Sequence, residues 1–182
     1  MDIKKLKLGQ AALVLSLTGV FLIVGSSVAD RKEAMMEQQA MVDVKLRELR
    51  CLTENIYHEA RSESLTGQQA VAWVTLNRSN DPRYPKGVCE VVRQARLDHR
   101  GNPIPNQCQF SWYCDGRTDK ISSKKDWEKA WTVAESVYEN YNRFPDPTMG
   151  AVMYHAVYMD SQPSWAASYT KAVRIDNHIF YK

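Results

Sequence analysis

Glycine-rich phosphate loops, internal repeats and low-complexity tracts are absent from the 182 residues. That excludes P-loop nucleotide chemistry and solenoid architectures. No second histidine follows His58-Glu59 at the spacing of an H-E-x-x-H helix, so the zinc-peptidase arrangement is missing as well. Cysteine is scarce: the chain has four, Cys51, Cys89, Cys108 and Cys114. None sits in a recognisable nucleophile context, which argues against a thiol peptidase or amidase. Their spacings are not those of a zinc knuckle either, so no metal and no other cofactor is expected. An excess of one charge is also lacking. The net charge is +3, owed mostly to Lys4, Lys5 and Lys7, and elsewhere positives and negatives nearly cancel, which excludes a nucleic-acid groove.

Residues 8–29 contain no charged side chain at all. As a helix this run would rise roughly 33 Å at about 1.5 Å per residue, enough to cross a hydrocarbon core of about 30 Å. The lysines before it would hold the N-terminus in the cytoplasm and place the remainder outside, in the periplasm. Small residues at Ser27, Val28 and Ala29 suit a signal peptidase, yet the run is longer than a usual signal segment. Residues 1–29 are therefore expected to be a signal anchor, with a cleaved signal and a released or secreted domain as the alternative. Four cysteines in an exported chain point to disulfides, with three pairings open.

Residues 30–50 are charged and Met-rich, with Met35, Val42 and Leu49 at heptad spacing, and read as a helical stalk. Residues 51–182 are expected to form one domain. Within it, Thr66 and Gln69 make a capping box that starts a helix at Thr66, stapled by Leu65 against Ala70 and ended by Pro82. Residues 97–107 read as a polar loop in which His99 is solvated. Ser123 and Asp126 open a further helix whose stripe of Trp127, Ala130, Trp131, Ala134, Val137, Tyr138 and Tyr141 reads as core. Beyond Gly150 the pattern turns to short β-rich runs, 151–157, 172–175 and 178–181, with a bend around Pro163 and Trp165, predicting a small antiparallel sheet. His155 and His178 fall in these runs, as substrate ligands or as donors within the sheet.

The chemistry centres on residues 55–69, N-I-Y-H-E-A-R-S-E-S-L-T-G-Q-Q. Leu52, Ile56 and Ala60 recur at helical spacing, so Glu59 lies beside the apolar stripe, where burial raises a carboxyl pKa and suits a general acid. A second dense stretch, C-Q-F-S-W-Y-C-D-G at 108–116, sets aromatic and amide groups between two cysteines, the composition of a sugar-stacking wall.

Taken together, H-E-A-R-S-E-S-L-T-G-Q-Q-A-V-A-W-V-T-L-N-R, C-Q-F-S-W-Y-C-D-G, and G-A-V-M-Y-H followed by P-S-W and D-N-H-I-F-Y resemble the SleB/CwlJ group of cell wall hydrolases. The resemblance covers residues 52–181 in matching order. It implies an α+β fold, a helical lobe and a small antiparallel sheet around a cleft akin to those of lysozyme and lytic transglycosylases. It also implies that Glu59 is the catalytic acid and peptidoglycan the substrate. Ser62 departs from the family's usual glycine, which bears on the local turn and not on Glu59. A lysozyme-type or glucosaminidase hydrolase needs a second carboxylate beside the sugar. Glu63, on the same face if the helix continued, is better suited to support Glu59 than to attack, and Asp115 is the other candidate. A lytic transglycosylase needs the one acid alone and is the preferred reading. Gln109, Phe110, Trp112, Tyr154, His155 and Trp165 are then expected to line the glycan groove. A membrane-anchored chain of this kind suits a phage endolysin or a bacterial envelope hydrolase. A non-catalytic wall-binding module is the reading from another class.

Overall fold

The computed structural model describes the backbone of residues 3–158 and 162–182, and side chains from residue 28 apart from 159–161. It divides into two units, Met1–Lys45 and Leu46–Lys182. The side chains of the uncharged run at 8–29 lie almost wholly outside the described residues. Among the described residues no helix is long and apolar enough to cross a membrane.

Helix α1 (Ile3–Ala60) begins in the first unit, where Met35, Met36, Met41 and Val42 are exposed. Within the second unit its character changes. Leu49, Leu52, Ile56 and Ala60 recur every three or four residues and are all buried, the spacing that sets one helix face against a core. The helix stops at Ala60, and the Glu63 amide closes a turn on the Ala60 carbonyl at 2.9 Å. Glu63 would share the face of Glu59 only if the helix continued, and the helix ends before reaching it.

Helix α2 (Leu65–Asn80) starts slightly earlier than the capping-box reading placed it. Ser64 is the N-cap, in extended conformation, and its hydroxyl accepts from the Gly67 amide at 3.2 Å. Ser64 wins over Thr66 because Asp176 also holds it, accepting from its amide at 3.0 Å and its hydroxyl at 2.5 Å. Leu65, expected to staple against Ala70, is 55 % exposed. Helix α3 (Val88–Val92) is a short buried segment, tied to α1 by the Cys51–Cys89 disulfide. The stretch read as a polar loop instead forms a hairpin, β1 (Ala95–Leu97) antiparallel to β2 (Pro103–Cys108). Asp98 makes the turn possible by accepting the amides of Arg100 and Asn102, both at 2.8 Å. A 3-10 turn over Ser111–Cys114 follows and is closed by the Cys108–Cys114 disulfide.

Helix α4 (Lys124–Asn140), capped by Ser123, packs on α2. Ala130, Val133, Ala134 and Val137 enter a core shared with α1, α2 and α3. The sheet has the order β3 (Met153–Ala156), β5 (His178–Tyr181), β4 (Lys171–Ile175), all antiparallel, with β5 central. Phe180 and Ala151 press it onto Ala70 and Val74 of α2. The bend at Pro163 and Trp165 is a 3-10 helix over Ser164–Ser168. Helices and sheet together make an α+β fold in which the end of α1 meets β3.

Candidate active site

Alternation on β3 decides which side chains reach α1. Tyr154 is paired with Phe180, and Ala156 with His178, on the face turned to α2; Met153 and His155 lie on the other. Tyr154 donates its hydroxyl to Glu59 Oε2 at 2.8 Å. Its ring is braced by His178 at 5.2 Å and Phe180 at 5.5 Å between centroids. His178 is buried and acts as this support, not as a ligand on an open surface; loss of hydration also lowers its pKa.

The last turn of α2 holds the entrance to β3. Asn77 donates to the Ala151 carbonyl at 2.9 Å. Arg78 Nε donates to the Val152 carbonyl at 2.6 Å, and Nη2 reaches Met153 Sδ at 3.5 Å. Arg78 is only 2 % exposed. Its guanidinium lies over the rings of Phe110 at 4.9 Å and Tyr84 at 5.5 Å, and Nη1 is buried without a partner. A cation so enclosed, with an unspent donor, projects its field onto nearby acids with little solvent screening.

Glu59 is half-buried at the meeting point of these groups. Loss of hydration raises its pKa; the hydrogen bond from Tyr154 and the charge of Arg78 oppose that rise without overcoming it. Burial pushes the Tyr154 hydroxyl well above its ordinary range, with the charge of Glu59 adding to the effect, so it stays a donor. Burial draws the Arg78 pKa down, while Tyr154, Tyr84 and Glu59 pull it back. A carboxyl whose pKa is raised keeps its proton to higher pH than an ordinary glutamate, and here a donor and a cation stand ready for its carboxylate form.

The other expected residues are dispersed. Gln109 meets Met153, its amide 3.8 Å from Sδ. Phe110 is buried beneath Arg78 and offers no wall to a sugar. Trp112 turns to the neighbouring flank of α1: it donates to Asn55 Oδ1 at 3.0 Å and stacks on His58 at 4.5 Å. His155 faces away from Glu59, with Nε2 2.9 Å from the Tyr181 hydroxyl, and Trp165 stands edge-on to both rings. The chain reversal after Ala60 delivers Glu63 to Asn177, whose side-chain amide lies 3.2 Å from Oε1. Asp115 accepts the Arg117 amide at 2.8 Å within its own loop. In these contacts Glu63 and Asp115 bond to groups other than Glu59. Sequence reasoning missed Arg78. Its signal was a charged residue continuing the buried stripe of Val71 and Val74, four residues beyond the latter.

A family model described as Cell Wall Hydrolase matches residues 62–181, beginning three residues after Glu59. The spore cortex-lytic enzyme of Bacillus subtilis is 29% identical over 133 residues, covering 73% of this chain and 37% of the relative. The spore cortex-lytic enzyme of Halalkalibacterium halodurans is 30% identical over 134 residues, covering 73% of this chain and 34% of the relative. The match thus spans about a third of the length of these curated relatives. Among solved structures, the catalytic domain of the germination-specific lytic transglycosylase SleB from Bacillus anthracis matches with a TM-score of 0.53 at 26% identity, covering 74% of this chain and 93% of that domain. With a helical lobe and small sheets in common with that domain and a family match over most of its length, the chain belongs to the Cell Wall Hydrolase family.

Proposed function

We propose that the protein cleaves the bond between the two amino sugars of the peptidoglycan strand as a lytic transglycosylase, with Glu59 as its one acid and base. The observation that carries this reading is the half-buried Glu59 carboxyl, its pKa raised, held by Tyr154 and facing the charge of Arg78. Glu59 protonates the glycosidic oxygen; the C1–O bond breaks, and the muramyl ring passes through an oxocarbenium-like state. The muramyl 6-hydroxyl then attacks C1 and returns a proton to Glu59, leaving a 1,6-anhydro end without consuming water. The carboxylate that exists between these steps is stabilised by the Tyr154 hydroxyl and the Arg78 charge. Engagement of Glu63 with Asn177 and of Asp115 with its own loop favours this one-carboxyl route over a lysozyme-type hydrolase. The name of the SleB relative points the same way.

Two disulfides suit a domain working outside the cytoplasm. The uncharged run at 8–29 would tether it to the inner membrane, as for an endolysin or an envelope hydrolase. This rests on the residues of that run alone.

Mass spectrometry of peptidoglycan digested by the chain tests the chemistry. Anhydro-muropeptides are expected from the wild type and none from Glu59→Gln, which keeps the side chain's shape but cannot supply the proton. Reducing ends would mean a hydrolase, and unaltered digestion by the variant would remove Glu59 from its role. A wall-binding module would leave both digests intact.

A further inference from the structure

We infer that a groove on the His58 flank of α1 binds a further stretch of the same amino-sugar strand, an inference that rests on the glycan-cleaving function proposed above. The groove encloses about 970 Å³, at the upper end of the roughly 300–1,000 Å³ usual for ligand sites. The rings of Trp112, Trp127 and Trp131 line it, and Arg50, Glu54 and Arg93 stand along its edge.

Trp131 is the first sign of a ligand. Its neighbours on α4, Ala130, Val133 and Ala134, are buried in the core, and Trp127 packs against that core. Trp131 stays half-buried and turns to the groove, so the expectation that the whole stripe is core fails at this residue. A partly open indole offers the flat apolar face on which a pyranose ring stacks. Charge narrows the class of ligand. Glu54 is bridged by Arg50 at 3.3 Å and by Arg93 at 3.5 Å, and with Asp119 and Lys124 also lining the groove it presents donors and acceptors side by side at a net charge of +1. That suits the hydroxyl and acetamido groups of amino sugars better than a polyanion.

Trp112 joins the groove to Glu59. Its indole is fixed to Asn55, one helical turn before Glu59, and its ring lies on His58, the residue adjoining Glu59. A strand leaving Glu59 back along α1 therefore passes Trp112 before entering the groove. The groove holds sugars beyond the pair being cut and selects for length in the strand.

The test uses the full chain carrying Glu59→Gln, titrated with chitohexaose and followed by the indole N–H signals in NMR and by calorimetry. The Trp131 signal is assigned from its loss in Trp131→Phe. That signal and the Trp112 signal are expected to shift on binding. Adding Trp131→Ala should weaken binding about tenfold, as expected for loss of one aromatic contact, and Arg93→Ala should weaken it as well. A Trp131 signal that stays still, whether or not the sugar binds elsewhere, overturns the inference, as does undiminished affinity in Trp131→Ala. Digestion of peptidoglycan by the wild type is measured separately. Digestion with an unmoved Trp131 sinks the groove alone; a shifted Trp131 without digestion sinks the catalytic reading alone.

Discussion

Glu59 gains its acidity profile from the burial of its carboxyl, offset in part by Tyr154 and Arg78. With its pKa raised in the folded protein, chiefly by loss of hydration, the proton-bearing form persists to higher pH than for an ordinary glutamate. Cleavage is therefore expected to fall as pH rises through that raised value, with no loss from Glu59 on the acid side. Tyr154→Phe removes a hydrogen bond that favours the carboxylate, so the falling limb should move to higher pH. The maximal rate should drop roughly tenfold, because the carboxylate of the second step has lost a donor. Plots of log kcat against pH for the two proteins check both effects, and a limb moving to lower pH would contradict the assignment. The place of Glu59 beside a buried stripe was legible in the sequence because its own helix carries the signal, with Leu52, Ile56 and Ala60 marking that stripe. Arg78 was not legible, because the rings that enclose it, Tyr84 and Phe110, come from separate segments whose approach only the fold reveals.

The turn between α1 and α2 is where two elements fix each other. Asp176, in the two-residue turn joining β4 to β5, adopts a left-handed φ of 48° and binds Ser64 through both its amide and its hydroxyl. Asp tolerates that conformation better than most residues. Gly67 leaves the room this needs: a Cβ there would collide with the Asp176 carboxylate and with Glu63. Gly67→Ala is accordingly expected to destabilise the protein by about 1–3 kcal/mol, despite alanine's better helix propensity, and to lower activity by displacing the end of α1. Chemical denaturation with an activity assay measures both, and a stabilised, fully active variant would mean that the turn does not set the position of Glu59. The existence of α2 could be read from its pattern, but its starting residue could not. Thr66 and Ser64 are both competent caps by composition, and the choice is made by Asp176, remote in sequence.

At the scale of the second unit, the class of fold was readable: short β-rich runs after Gly150 gave the sheet, and proline-bounded apolar stripes gave α2 and α4. Pairing of the cysteines was not, since it depends on which helix α3 meets. Cys51–Cys89 closes 38 residues and Cys108–Cys114 only 6. Chain-entropy reasoning assigns these loops roughly 4 and 2 kcal/mol. Cys51→Ala with Cys89→Ala should therefore cost more in unfolding free energy than the matching pair at 108 and 114, and equal losses would discount loop size as the cause. The central position of β5 also sets a timetable. The strand that lies beside β3 and braces Tyr154 is made after everything else the site uses, with Phe180 and His178 among its residues. A chain still being synthesised, or passing unfolded through a membrane, carries Glu59 but lacks the brace for the group that orients it. If Glu59 acts on the wall as proposed, that activity would wait until β5 has folded against β3.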